Sequence, residues 1–354
     1  MGQEDMRERK GRGNGLMLFL MILIIILLVA QAFFLVYQFL RDEGRAQGPD
    51  ARPSREEAAP AEPTDEEIAA RGWISADVLK RYAEEYNINT EFLSRIFRDK
   101  IIYKQAGKII YADIDPNLKK HPYDWDALWW DERRPHYSFA ETEAATAEGV
   151  AAEALFGIDV SRYQGNIDWA RAAADGVEFA IIRMGYRGYD TGKQVVDEFF
   201  EANIQGARSA GVRVGVYFFS QAVNEAEAVE EAEMVLAGIA PYDVSFPVVF
   251  DIEEISGQNA RTDALTAGEV TDIAIAFCER VREAGYTPMI YANPKWFVSR
   301  MELDRLEPYA KWLAQYYKTP TYPYAFAVWQ FSSSGTVDGI KGNVDLDLAF
   351  EYFR

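Results

Sequence analysis

In the segment PVVFDIE, two carboxylates stand two positions apart, Asp251 and Glu253. Residues i and i+2 of a strand face the same way, with Cα atoms ~7 Å apart. Both acids can therefore enter one small site. Like charges that close push each other's pKa apart. One is favoured as a protonated acid and the other as an ionised group, the division of labour that glycoside cleavage requires. Glu254 faces the opposite way and reads as a solvated or structural residue. Two more acids close or enter apolar runs: Asp159 in FGIDVS and Asp345 in GNVDLD. Aromatic residues recur at the same level. Tyr217 and Phe219 alternate on VGVYFFS, Tyr291 ends PMIYAN, Trp312 and Tyr316 lie on KWLAQY, and Trp329 precedes Gln330 in AFAVWQF. Flat rings stack on the apolar faces of sugars, and hydroxyls and amides bond their polar edges. The set is expected to form a carbohydrate cleft around the acids.

Composition narrows the chemistry further. The chain has 354 residues with 37 Lys plus Arg against 56 Asp plus Glu, a formal charge of -19. So acidic a surface repels a phosphate backbone, and no nucleic-acid partner is expected. A single cysteine, Cys278, excludes an intrachain disulfide and any cysteine-based metal cluster. It lies in TDIAIAFCERVREAG, whose helical spacing marks it as a small core residue. The two histidines, His121 and His136, are too few and badly placed for histidine-based catalysis. No Gly-rich phosphate loop follows a strand. Neither a cofactor nor a metal is expected, and carboxylates are left to do the work.

The elements that must position these residues begin at Leu155. FGIDVS, FAIIRMGY, VGVYFFS, PVVFDIE, PMIYAN, KWLAQY, AFAVWQF and GNVDLDLA read as eight strands. Amphipathic stretches such as FFEANIQGARSAG and EAEAVEEAEMVLAGI separate the earlier ones. Strand–helix repetition predicts a parallel α/β barrel, whose active site lies at the C-terminal ends of its strands. The later connections, KTPTYPY and SSSGTVDGIKG, hold no helical pattern. The expected fold is thus an irregular TIM-like β/α barrel over residues 155–354, with reduced C-terminal helices.

Upstream, residues 1–15 read as a short cytoplasmic tail and 16–40 as 25 uncharged positions. A helix of that length rises ~37 Å, enough to cross a ~30 Å hydrocarbon core as a transmembrane helix in contact with the lipid bilayer. Ala30-Gln31-Ala32 resembles a signal-peptide cleavage site, but the apolar run continues past it, which suits an uncleaved anchor better. Residues 41–65, rich in Pro, Ala and Glu, form a linker able to reach on the order of 80 Å. Residues 66–145 read as a small α+β module. SADVLKRYAEEYN with Ser75 as N-cap and TEFLSRIF are its helices, and two strands turn at Gln105-Ala106-Gly107. The aromatic stretch from Tyr123 to Trp130 is suited to packing the module on its neighbour.

Taken in order, GIDVSRYQGNIDW, FAIIRMGYRG, GVRVGVYFFSQA, VVFDIE, PMIYAN, AVWQFSSSG and GNVDLD resemble glycoside hydrolase family 25, the Chalaropsis-type lysozymes, over residues 155–354. The resemblance implies an N-acetylmuramidase that cuts the β-1,4 bond between N-acetylmuramic acid and N-acetylglucosamine, with peptidoglycan glycan strands as partner. It implies Glu253 as the general acid. Asp251 would hold the substrate's 2-acetamido group or act on the anomeric carbon, with Asp159 and Asp345 positioning substrate or tuning charge. Ile252 stands where the family often has an aromatic residue, and Asp347 where GNVDLD usually ends in Asn. Combined with the apolar run, this function implies a single-pass location in the cell membrane, N-terminus cytoplasmic and catalytic domain outside. Two other readings keep the same cleft: a peptidoglycan-binding scaffold without turnover, and a hydrolase of chitin-like chains.

Overall fold

A computed structural model describes residues 75–350, apart from 124, 126–127, 131–134, 141–150, 256 and 258. The tail, apolar run and linker expected over 1–65 lie outside the described residues. The expected membrane location is contradicted: among the described residues no helix is long and apolar enough to cross a membrane.

Eight strands close on themselves. They are β6 (Leu155–Val160), β7 (Phe179–Arg187), β9 (Arg213–Phe219), β10 (Val248–Asp251), β11 (Pro288–Ala292), β12 (Ala310–Ala314), β13 (Val328–Gly335) and β14 (Val344–Ala349). A short outer strand, β8 (Gln194–Val196), pairs antiparallel with β7. From β6 to β13 neighbouring barrel strands run parallel. The sequence predicts a parallel barrel throughout, and here the structure differs: β14 is antiparallel to both β13 and β6. The reason is the helix-free link from β13. A parallel return needs a crossover of a dozen or more residues that carries the chain back along the barrel. Residues 336–343 are too few to do so.

Helices back the first strands: α3 (Trp169–Ala174), α4 (Phe200–Ser209), α5 (Glu225–Ile239) and α6 (Ala267–Glu283). Side chains cap the two longest of these helices. Asn224 accepts from Glu227 N at the start of α5, and Thr266 with Glu269 forms a capping box on α6. On α6, Val270, Ile273, Ala274, Phe277, Cys278 and Val281 recur at helical spacing and are all buried. After β11, among the described residues, only the six-residue α7 (Pro294–Ser299) remains.

The flank without helices is covered by residues 75–125. Helices α1 (Ala76–Glu85) and α2 (Thr90–Ile96) pack on a hairpin of β1 (Lys100–Gln105) and β2 (Lys108–Asp113). Ala106 and Gly107 turn the hairpin with φ of 48° and 78°, the positive pair that a two-residue turn requires. Alternation gives β1 two faces. Ile102 joins Ala83, Leu93 and Ile109 in a small local cluster, while Ile101 joins the barrel's outer core. The chain then runs along the barrel. Lys119 O accepts from Ala325 N at 2.9 Å, and Tyr123 OH donates to Phe326 O at 2.7 Å. The Tyr123 ring lies 4.4 Å from that of Phe350, and Trp125 stacks on Phe326 at 5.9 Å. Beyond it, β3 (Leu128–Trp130), β4 (Pro135–Ala140) and β5 (Ala151–Glu153) form a small antiparallel sheet.

Inside the barrel, Leu155, Phe179, Ile181, Val249, Met289, Trp312 and Val328 form a second core. Gly157 makes room for it. A Cβ there would meet the Phe179 ring at 2.3 Å. Apolar filling occupies the lower barrel, so polar side chains collect at its upper rim.

Candidate active site

At the rim, Asp251 ends β10, and Glu253 follows two residues past the strand's end. Ile252 between them is fully buried and turned outward, as alternation requires. Asp159 lies near the end of β6 and pairs in register with Asp345 on β14. Because β14 is reversed, the start of this strand meets the ends of the others. That reversal places Asp345 at the same rim. All four acids line one cleft of about 830 Å³ together with Tyr217, Phe219, Tyr291, Trp312, Tyr316 and Gln330.

Gln330 is the hub of the floor. Its Oε1 accepts from Tyr291 OH at 2.9 Å and Tyr316 OH at 2.8 Å, and its Nε2 donates to Asp159 Oδ2 at 2.6 Å. The two hydroxyls thus set the amide's orientation, and the amide sets the carboxylate's. Asp347 lies one inward step below Asp345. It is fully buried, and its Oδ1 accepts from Trp312 Nε1 at 2.8 Å. An acid at this position therefore orients the aromatic floor.

The electrostatics follow from burial. Glu253 is pushed up to about 7, by burial first and then by the charge of Asp345. Burial also raises Asp251 well above the carboxylate range, the Glu253 charge adding to it and the Arg183 guanidinium opposing it. Asp345 rises to about 6 through burial. Asp159 and Asp347 are raised as well, burial again leading, followed by the charge of Asp345 on the former and of Asp159 on the latter. Carboxylates this close cannot all ionise near neutrality. The cluster retains protons at a pH where isolated acids would be charged, so it can act as a proton donor. Asp251 Oδ1 is buried with no hydrogen-bond partner among the described residues, a polar atom left unsatisfied within the site.

One expectation changes. Trp329 does not reach the cleft. It is fully buried on the outer side, its Nε1 donating to Gln315 O at 2.8 Å and its ring 5.9 Å from that of Trp125. Adjacent strand residues point to opposite faces, so Gln330 inside forces Trp329 outside. Glu254, read as a solvated or structural residue, is exposed at the edge of the cleft and paired with Lys295.

The sequence reading missed one whole wall. Arg183 points inward from β7 and pairs with Asp197 at 2.7 Å. Its guanidinium stands 5.2 Å from the Tyr163 ring centre and 5.6 Å from that of Tyr186. Arg187 on the same strand holds Glu231 of α5 at 2.6 Å and donates to Gly192 O at 3.0 Å, tying the β7–β8 hairpin to the helix. Burial raises Glu231 to about 7 despite that partner. The missed signal was an arginine inside the apolar run FAIIRMGY. A buried charge is tolerated only when paired, and its partners were distant in sequence.

The profile of glycosyl hydrolases family 25 matches residues 158–340. YegX, an uncharacterized protein of Escherichia coli K12, is 29% identical over 221 residues, which is 60% of this chain and 75% of YegX. Lysozyme M1 of Streptomyces globisporus is 28% identical over 201 residues, 53% of this chain and 65% of that enzyme. Among solved structures, the modular autolysin LytC of Streptococcus pneumoniae in complex with a synthetic peptidoglycan ligand aligns with a TM-score of 0.49 and 22% identity. That alignment covers 72% of this chain and 57% of LytC.

Proposed function

The chain belongs to glycosyl hydrolase family 25 and is a glycoside hydrolase, and from that premise we propose that it cleaves the β-1,4 bond between N-acetylmuramic acid and N-acetylglucosamine in peptidoglycan. The observation that carries this reading is the Asp251–Glu253 pair on one side of the cleft, facing Asp159 and Asp345. Glu253, with its pKa at about 7, donates its proton to the glycosidic oxygen as the C–O bond breaks. Asp251 and Glu253 leave the same strand on the same side, so the pair does not flank the bond as an acid and an opposed base would. The substrate's own acetamido oxygen closes on the anomeric carbon, and Asp251 accepts the acetamido N–H. Water then opens the ring intermediate and returns a proton to Glu253. Asp159, held by Gln330, and Asp345 position the sugar and set the local charge. Tyr217, Phe219, Tyr291, Trp312 and Tyr316 offer faces and hydroxyls to the glycan.

The test uses purified peptidoglycan with the wild-type chain and Glu253→Gln in parallel, followed by mass spectrometry of released fragments. New muramic-acid reducing ends from the wild type alone are expected. Release of N-acetylglucosamine reducing ends, or equal release by both proteins, would overturn the assignment.

A further inference from the structure

On one wall of the cleft, two cations have no acidic partner among the described residues. Arg162 follows β6 and Lys193 precedes β8, and both line the cavity that holds the four acids. Among the described residues neither forms an ion pair, whereas their neighbours Arg183 and Arg187 are neutralised by Asp197 and Glu231. Glu254 across the cleft is likewise neutralised, by Lys295. Asp190 at the hairpin tip is the wall's one unpaired acid among the described residues, and the four acids of the site stand apart from it in the same cavity. In a chain of formal charge -19, these two cations remain available at the cleft to attract an anionic ligand.

The wall is also organised. The Arg162 guanidinium stands 5.2 Å from the Tyr163 ring centre and 5.5 Å from that of Tyr186, and Arg183 takes up the same two rings from the buried side. Its backbone N–H is fixed as well, donating to Asp197 Oδ2 at 3.1 Å. A guanidinium held this way loses little freedom when it binds a carboxylate through two parallel N–H groups. Lys193 sits at the base of a hairpin clamped by Arg187.

We propose that Arg162 and Lys193 form a subsite for a carboxylate carried on the lactyl side of muramic acid, so that the cleft selects acidic wall glycan over neutral chains of N-acetylglucosamine. This rests on the peptidoglycan reading above. The carboxylate has two sources: the peptide stem, or the lactyl acid left free where a stem has been removed. A neutral chitin oligomer offers neither.

Binding is measured without turnover, with the full chain carrying Glu253→Gln. Three probes are compared: stem-bearing glycan strands, the same strands after an amidase has removed the stems, and chitin oligomers. Adding Arg162→Gln and Lys193→Gln is expected to weaken binding of a carboxylate-bearing probe about tenfold relative to the chitin oligomer, a size in keeping with charge-assisted hydrogen bonds. Arg162→Lys should recover part of the loss, and added salt should shrink it. Loss confined to stem-bearing strands identifies the stem carboxylate as the partner. Loss confined to stripped strands identifies the lactyl acid. An unchanged ratio, or an equal loss on all three probes, overturns the subsite. Reducing-end release by the unsubstituted chain is read separately, so a failure of the hydrolase reading is distinguishable from a failure of this one.

Discussion

From β6 to β11, the barrel strands are backed by helices that lie next to them in the chain, whereas β12 to β14 are backed by residues 75–125. On the first flank, α6 presents Phe277 and Cys278 to strands that immediately precede and follow it. On the second, Tyr123 reaches Phe326 across 203 positions of sequence. Both flanks contribute to the cleft. The helix-backed side supplies Asp251 and Glu253, and the other supplies Gln330, Trp312, Tyr316 and Asp345. A barrel can therefore complete its outer layer with a distant segment when its own crossovers are too short. The integrity of half the site then depends on residues far from it in sequence.

The sharpest division between the flanks is chemical. Glu253→Gln, on the helix-backed side, should lower peptidoglycan hydrolysis about 10²–10⁴-fold with an unchanged melting temperature at acid pH. Gln330→Ala, on the other side, frees Asp159 and both tyrosine hydroxyls. It should cost on the order of tenfold in kcat/KM, since it disturbs positioning and leaves the proton donor in place. Equal losses in the two variants would erase the distinction.

Stability tests the cover itself. Tyr123→Ala removes a buried ring and the bond to Phe326 O, a loss of about 3–5 kcal/mol. At ~2–4 °C per kcal/mol, the melting temperature should fall by roughly 6–20 °C. Hydrogen exchange should rise in β12–β14 before it rises in β7–β10. Uniform loss of protection would mean that the two flanks unfold as one.

The pH response separates the flanks more gently. Glu253 has an ordinary value of 4.5 and a folded value of about 7, so the native state retains a proton that the unfolded chain has released between those limits. Its contribution to stability is present in full below pH 4.5 and is lost as pH rises through 7. Melting temperature should therefore be roughly 3–8 °C higher near pH 5 than near pH 8, and Glu253→Gln should flatten much of that slope. Activity should decline above pH 7 as the donor loses its proton. A melting temperature that rises between pH 5 and 8 would contradict this sign.

The smallest effect belongs to Asp347. Asn in its place still accepts from Trp312 Nε1 and removes one buried acid from the cluster. Asp347→Asn should change kcat/KM by less than about threefold and raise stability slightly at pH 8, whereas Asp347→Leu strands the indole N–H and costs about 1–3 kcal/mol. Urea titration of both variants at pH 8 reads the difference.

Local patterning in the sequence determined a great deal here. The i, i+2 spacing of Asp251 and Glu253 needs only one strand to put both acids on a common face, and the alternation of Tyr217 with Phe219 works the same way. The eight strands, the capped helices and the helix-free links after β12 are readable because periodicity, caps and turn residues act over a few positions. Tertiary structure alone decided what depended on long range. That Asp345 faces Asp159 follows from the reversal of β14, and a strand's direction is set by how its link can return along the barrel. Trp329 and Gln330 are adjacent and must point to opposite faces. Which of them enters the cleft was settled by the aromatic cover from Trp125 on one side and the hydroxyls of Tyr291 and Tyr316 on the other. The wall built from Arg162, Tyr163, Arg183, Tyr186 and Asp197 was hidden for the same reason. An arginine's partners are chosen by proximity in space, and only closing the barrel brings them together.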